Sequence, residues 1–106
     1  MLEIQHNNAE AIHNYEEAIK NLKPDIPWVR NLFLCRIERL KGRYVEAVNC
    51  FQKIPNINNP GQIYYDVGMT YVAAKNKKAA MVEYEKLREM RSVFAGDLIK
   101  LINDLK

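Results

Sequence analysis

The stretch YYDVGMTY, residues 64–71, begins the segment that decides the fold of this chain. Tyr64, Val67 and Tyr71 stand at i, i+3 and i+7, so they share one face of a helix. Gly68 lies on the same face and has no side chain, which lets a partner helix approach closely. The stretch therefore predicts a helix that packs tightly against a neighbour.

The next pattern along the chain, residues 77–87, predicts that neighbour. After a turn at Lys75-Asn76-Lys77, Ala80 supplies a small side chain, and Tyr84 and Leu87 follow it at i+4 and i+7. Small and large side chains that alternate on facing helices interlock at close-packed density. Residues 64–87 thus predict an antiparallel helix pair.

The pattern of the second helix occurs three times. The copies are Ala11–Tyr15–Ala18, Ala47–Phe51–Ile54 and Ala80–Tyr84–Leu87, separated by 36 and then 33 residues. A period in the low thirties is typical of stacked helical hairpins, in which each repeat buries its apolar face against its neighbours. Chains of this kind usually hold a partner on a surface.

Residues 64–87 closely resemble the tetratricopeptide repeat (TPR) family, whose pattern is W-x2-L-G-x2-Y followed by A-x3-F. The match is weaker around residues 31–54, where Leu34 and Cys35 stand at the leucine and glycine of the pattern. The turn that follows fits better, because Gly42 can end a helix in the left-handed conformation. The first copy matches the pattern only in the second helix of the pair. The resemblance covers roughly residues 9–91 and implies an all-α, right-handed α-solenoid of antiparallel helix hairpins.

The implied organisation is a single TPR-like domain over residues 1–106. It comprises a partial first repeat (1–24), a second repeat (27–55), a third repeat (60–91) and a capping helix (93–106). Periodicity and turn residues predict helices over about 9–22, 27–41, 44–53, 60–75, 77–90 and 93–105. Turns are expected at 6–8, at 56–60 and at 75–77.

The beginning of the chain departs from this scheme, because five residues precede the turn expected at 6–8 where a full helix should stand. We therefore expect the chain to be a fragment of a longer repeat array. Its first helix would then leave the apolar face of Ile12, Tyr15 and Ile19 uncovered. Self-association through this face is a further expectation.

Composition excludes several classes of protein. Of the 106 residues 48% are hydrophobic, which disfavours disorder, and neither a membrane span nor a signal peptide is evident. Two cysteines, Cys35 and Cys50, do not make a disulfide framework, so both are expected to be buried thiols in a reducing, cytoplasmic setting.

No catalytic constellation is apparent, and we predict that the chain is not an enzyme and needs no cofactor or metal. One Ser and one Thr are present, and neither has a base nearby in the sequence. His6, Glu10 and His13 share a helical face, but no further ligand stands near them. The glutamates at 16–17, and Glu83 with Glu85, are interpreted as a solvated helix exterior.

In the TPR family the first helix of each pair lines a concave groove, so the resemblance implies a partner-binding surface. The corresponding residues are Val29, Leu32, Arg36, Arg39, Leu40, Gln62, Tyr65, Met69, Val72 and Ala73. Apolar side chains beside two arginines suit an acidic, amphipathic peptide or protein segment. The Lys/Asn/Lys/Arg set that clamps chaperone tails is replaced by Leu32, Arg36, Tyr65 and Met69, so that ligand is not expected.

Three alternatives stay open. The groove residues between 62 and 73 include a stripe of Tyr65, Met69 and Val72, and the next helix of the chain itself could cover this stripe. The chain could be a structural spacer or oligomerisation segment of a larger solenoid, with no ligand in its groove. Nucleic acid is a weaker option, because the net charge is +3 and the arginines at 36, 39 and 43 are offset by acidic residues on the same helices.

Overall fold

The computed structural model describes residues 6–54 and 60–105, and in these two ranges the chain is helical with no β-strand. Its helices are α1 (His6–Lys20), α2 (Pro27–Leu40), α3 (Tyr44–Gln52), α4 (Pro60–Ala73), α5 (Lys77–Glu89) and α6 (Phe94–Asn103). The predicted all-α class is confirmed. Among the described helices, none combines the length and the apolar character needed to cross a membrane.

One predicted turn is wrong. Residues 6–8 form the first turn of α1, which begins at His6. Asn is an unfavourable but tolerated helix residue, and the amphipathic pattern that follows is long enough to carry the helix through it. The turn expected at 56–60 falls mostly on residues 55–59, which lie outside the described ranges, and Pro60 already belongs to α4.

The chain divides into two compact units, residues 1–54 and residues 55–106. The first holds α1, α2 and α3, and the second holds α4, α5 and α6. The division falls at the end of the predicted second repeat. Each unit is described by itself below.

In the first unit α2 packs against both α1 and α3. Phe51 and Ala47 of α3 are fully buried, and Leu32 and Ile37 of α2 are nearly so. Two motif residues of α1, Ala11 and Tyr15, are half-buried. The Tyr15 ring packs on Phe33 of α2 with ring centroids 5.5 Å apart. Repeat residues thus supply much of this core.

In the second unit α4, α5 and α6 pack against one another. Ala80 and Leu87 of α5 join Leu98 and Ile102 of α6 in a fully buried cluster, with Tyr64, Tyr71 and Tyr84 packed around it. A Cβ at Gly68 would lie 2.5 Å from Leu98 Cδ2 and 3.3 Å from Glu83 Cβ. The close approach predicted at Gly68 is therefore made by α6 as well as by α5.

The two helix pairs repeat with one period. The bounds of α4 are those of α2 shifted by 33 residues, and the start of α5 is that of α3 with the same shift. Gly42 after α2 and Lys75 after α4 are both left-handed, with φ of 80° and 61°. The amide of Arg43 donates to the Glu38 carbonyl, and the amide of Asn76 donates to the Tyr71 carbonyl, so both helices end in the same hydrogen-bonding pattern.

Candidate binding surface

The α2 part of the predicted groove is mostly half-buried. Leu32 is 6% exposed and belongs to the core of the first unit, so it offers no surface to a partner. Val29, Arg36, Arg39 and Leu40 keep part of their surface exposed. The α2 surface is therefore smaller than the sequence predicted and consists of these four residues.

Arginine dominates the chemistry of this α2 surface. The guanidinium carbon of Arg39 lies 6.0 Å from the ring centroid of Phe51 in α3, within the range of a cation–π contact. This contact orients the Arg39 side chain along the α2–α3 pair. On the adjoining turn, Arg43 lies 3.5 Å from the Glu38 carboxylate. A planar guanidinium group can bind a carboxylate by donating two parallel hydrogen bonds to it.

The α4 part of the predicted groove is engaged within the second unit. The Gln62 amide Nε2 donates to the Asp66 carboxylate at 2.9 Å, and Asp66 itself is 2% exposed. The Tyr65 ring stacks on Phe94 of α6, with centroids 4.9 Å apart and planes inclined by 15°. The side chains of Gln62 and Tyr65 thus make contacts within the second unit.

The remaining α4 residues differ in exposure. Met69 and Val72 pack against the buried cluster of α5 and α6 but stay half-exposed, and Ala73 is exposed. Helix α6, the second helix after α4, therefore covers part of this surface. The α2 residues lie in the first unit and the α4 residues in the second, so the structure places each half of the predicted groove in its own unit.

A cavity of about 500 Å³ lies within the first unit, and the sequence did not predict it. Its apolar lining comes from Ile19 of α1, Leu34 and Ile37 of α2, and Cys50 of α3; Glu16, Glu38 and Lys41 add charge. Leu34 is 43% exposed although it stands at the pattern's core leucine. No local signal marks this cavity, because it depends on how three helices meet.

The cysteines correct another prediction. Cys35 and Cys50 are joined by a disulfide bond between α2 and α3, with Cα atoms 5.4 Å apart, so the prediction of two buried thiols is wrong. A signal was present in the sequence. The two residues lie 7 positions before and 8 positions after Gly42, and residues nearly equidistant from the turn of an antiparallel pair face each other.

Cys50 also lines a second cavity in the first unit, of about 450 Å³. The other lining residues are Asn31, Glu46, Asn49, Lys53 and Ile54. Cys50 is half-buried, whereas Cys35 is fully buried. Cys50 therefore borders two cavities, whereas Cys35 is enclosed in the core.

The four glutamates that were predicted to form a solvated helix exterior differ in their exposure. Glu16 and Glu17 are exposed, but Glu83 is 6% exposed and pairs with Lys86 Nζ at 3.2 Å. Its position beside Gly68 encloses it, since a Cβ at Gly68 would lie 3.3 Å from Glu83 Cβ. Glu85 accepts hydrogen bonds from Arg88 at 2.6 and 3.1 Å, and this carboxylate raises the pKa of the Arg88 guanidinium.

The residues weighed as metal ligands form no closed site where they are described. His13 is exposed and lines a surface cavity with Ala9, Glu10 and Asn14, and the side chain of His6 lies outside the described part. Within residues 6–54 and 60–105, no group of three or more His, Cys, Asp or Glu residues is arranged to hold a metal ion.

Most of the motif residues that carry the TPR resemblance are half-buried or buried, whereas Ala18 and Leu34 are exposed. Comparison of the chain with models of known protein families, with curated proteins and with solved structures gives no match.

Proposed function

We propose that this chain is a protein-interaction module built from TPR-like helix hairpins, which binds an acidic, amphipathic segment of a partner protein. The observation that carries the proposal is the 33-residue repeat of two helix pairs, with common helix starts and a common left-handed helix end. Repeated hairpins of this kind present successive helices as a surface rather than enclosing a reaction centre. The chain is accordingly proposed to be a scaffold and not an enzyme.

The proposed contact surface is centred on α2. Arg36 and Arg39 lie one helical turn apart, with half-exposed Val29 and Leu40 beside them. Arginines next to apolar side chains match a helix or extended peptide that carries Glu or Asp between Leu or Ile residues. On α4, in the second unit, Tyr65 already stacks on Phe94 and offers less of its surface to a partner.

The test uses a labelled amphipathic peptide with Leu at i, i+3 and i+7 and Glu on the flanking positions, together with a matched peptide in which Lys replaces Glu. Fluorescence anisotropy should show saturable binding of the Glu peptide alone. Arg36→Glu should weaken it by about tenfold or more, since a buried charged contact is worth about 1.5–3 kcal/mol. The matched control is Lys77→Glu, an equal change of charge at an exposed position on α5.

Circular dichroism must show that both variants are folded. Absence of binding by the wild-type chain, or equal weakening by Arg36→Glu and Lys77→Glu, would count against the proposed surface. Binding of both peptides alike, with steep loss between low and moderate salt, would instead favour a weak polyanion surface of the nucleic-acid kind.

A structural role is the second candidate function, and the stacking of Tyr65 on Phe94 favours it. If α6 keeps the α4 stripe covered, the second unit acts as a closed spacer or as an oligomerisation segment. The half-buried residues Ile12 and Ile19 of α1 would then mediate self-association. Light scattering at increasing concentration, with Ile12→Glu as the variant, separates this role from peptide binding.

The disulfide bears on the proposed cytoplasmic location. Disulfide bonds persist in oxidising compartments and are uncommon or transient in the cytosol. A cytoplasmic chain would therefore hold Cys35 and Cys50 mainly as thiols. Alkylation of thiols in freshly lysed source cells, followed by mass spectrometry of the two cysteine peptides, decides between the two states.

A further inference from the structure

The disulfide between α2 and α3 is unevenly protected. Cys35 is fully buried, whereas Cys50 is half-buried and lines two cavities of about 450 and 500 Å³ in the first unit. Thiol–disulfide exchange requires an attacking thiolate to reach one sulfur atom, and access decides which one. The exposed surface at this bond therefore belongs to Cys50, while Cys35 has none.

A helix pair of this register forms elsewhere in the chain without a disulfide. A shift of 33 residues places Cys35 on Gly68 and Cys50 on Glu83, and a Cβ at Gly68 would lie 3.3 Å from Glu83 Cβ. The α4–α5 pair keeps the same register without a covalent link. The α2–α3 pair should likewise remain associated when the bond is broken, because Ala47, Phe51 and Ile54 stay buried between its helices.

We propose that the Cys35–Cys50 disulfide is a reversible thiol–disulfide exchange site, at which Cys50 is attacked by a dithiol and Cys35 is the leaving group. One thiolate of the dithiol bonds to Cys50 Sγ, and the electron pair of the broken S–S bond passes to Cys35 Sγ, which takes up a proton. The second thiol of the dithiol then displaces Cys50 as a thiol. The dithiol is oxidised to a disulfide, and both cysteines are reduced.

The proposal does not rest on the proposed binding function. The bond lies in the first unit, and the second unit contains no cysteine. Reduction releases the covalent link between α2 and α3 beside the cavity lined by Leu34 and Ile37. The Cys50 thiol is then available for reoxidation or modification, and Cys35 remains enclosed as the resolving thiol.

The first test maps the point of attack. The oxidised chain is treated briefly with reduced glutathione, a monothiol of which one molecule cannot complete both steps, and the freed thiols are then trapped by rapid alkylation. Trypsin cleavage after Arg30, Arg36, Arg43 and Lys53 places Cys35 and Cys50 in separate peptides, 31–36 and 44–53. Glutathione should be found on peptide 44–53 about tenfold or more in excess, because access controls exchange.

Unfolding supplies the control for this bias. In concentrated guanidinium chloride both sulfur atoms are exposed, and glutathione should appear on the two peptides in similar amounts. A preference for Cys35 in the folded chain, or equal labelling of both cysteines, would overturn the proposal. A folded chain that resists dithiothreitol at concentrations that reduce the unfolded chain would overturn it too, since the bond would then be purely structural.

A matched pair of variants gives a second readout that needs no disulfide. The lone thiol of Cys35→Ser, at Cys50, should react with a thiol-specific dye about tenfold faster than the lone thiol of Cys50→Ser, at Cys35, because reactivity follows exposure. Circular dichroism checks that both are folded. Equal rates would contradict the proposal. Dithiothreitol must reduce the folded chain in either case. Faster reduction by a thioredoxin-type protein at the same dithiol concentration then identifies a protein dithiol as the reductant class, and equal or slower reduction identifies a small dithiol.

Discussion

Gly42 and Lys75 adopt the same left-handed backbone at the ends of α2 and α4, with φ of 80° and 61°. In both places the next amide donates back to a carbonyl five residues earlier, at 3.0 Å after α2 and 2.8 Å after α4. The left-handed conformation costs glycine little but is strained for lysine, because lysine has a Cβ atom. One repeat therefore has the residue that this helix end favours, and the other does not.

The two positions should respond in opposite directions to substitution. Left-handed strain costs about 1–2 kcal/mol for a residue with a Cβ, and added glycine entropy in the unfolded chain offsets about 0.4–1 kcal/mol of it. Lys75→Gly should thus stabilise the chain, and Gly42→Ala should destabilise it, each by about 0.5–1 kcal/mol. Urea unfolding followed by circular dichroism measures both. A loss of stability in Lys75→Gly would contradict this account of the helix end.

The starts of α3 and α5 offer a second reciprocal pair. The Asn76 side chain accepts a hydrogen bond from the Ala79 amide at 3.2 Å, whereas Arg43, at the equivalent position before α3, makes no such bond. The two residues have similar backbones, with φ and ψ of −99° and 81° for Asn76 and −89° and 70° for Arg43. Asn76→Ala should cost about 1 kcal/mol, since it removes a helix cap.

Arg43→Asn should gain up to about 1 kcal/mol, because it supplies the missing cap to α3. The exposed ion pair with Glu38 that it removes contributes little. Hydrogen exchange of the first amides of α3 and α5 locates each effect. Unchanged protection at the start of α3 in Arg43→Asn would show that the backbone there does not accept a cap.

Close packing at Gly68 can be measured against a second glycine. A Cβ at Gly68 would lie 2.5 Å from Leu98 Cδ2, and Leu98 is fully buried in the close-packed core. Gly68→Ala should therefore lose about 1 kcal/mol, the balance of about 1–3 kcal/mol of overpacking and about 1 kcal/mol of helix propensity.

Gly96 on α6 is the matched control, because nothing lies within 4 Å of a Cβ built there. Gly96→Ala should gain about 1 kcal/mol from helix propensity alone. Thermal or urea unfolding of the two variants gives the difference between them. If both variants are stabilised, the approach of α6 to α4 is looser than described.

Loss of the disulfide should weaken the first unit selectively. Cys35 and Cys50 are separated by 15 residues, and closing a loop of that size is worth about 3 kcal/mol in the chain-entropy account. The double variant Cys35→Ala, Cys50→Ala should therefore lower hydrogen-exchange protection in α2 and α3. Protection of α5 and α6 serves as the internal control, and a comparable loss there would contradict an effect confined to residues 1–54.

The sequence predicted the repeated helix pairs because their signals are local. Pro27 at the first turn of α2, Gly42 in the left-handed conformation and Asn76 at a helix cap each act through the backbone of a few neighbouring residues. The small residue Ala80 and the large residue Leu87 were correctly assigned to the core, since spacing fixes which residues share a helix face.

The candidate surface was harder to predict, because exposure depends on elements distant in sequence. Leu32 was predicted at a groove and lies in the core, and Glu83 was predicted in solvent and is buried. Tyr65 was placed in the groove, but Phe94 of α6 stacks on it. Spacing along a helix defines a face but does not show which neighbour covers it.

By itself, the sequence determined the all-α class of the described residues and the approximate bounds of their helices, apart from the start of α1 at His6. Hydrogen bonds within each helix, caps and the 3.6-residue period are set by nearby residues. The tertiary structure decided which residues meet across helices. It joined Cys35 to Cys50, enclosed Glu83 beside Gly68 and laid α6 on α4. These contacts depend on how whole helices pack, and that packing is fixed by the sum of many side-chain contacts along each helix and by no single short motif.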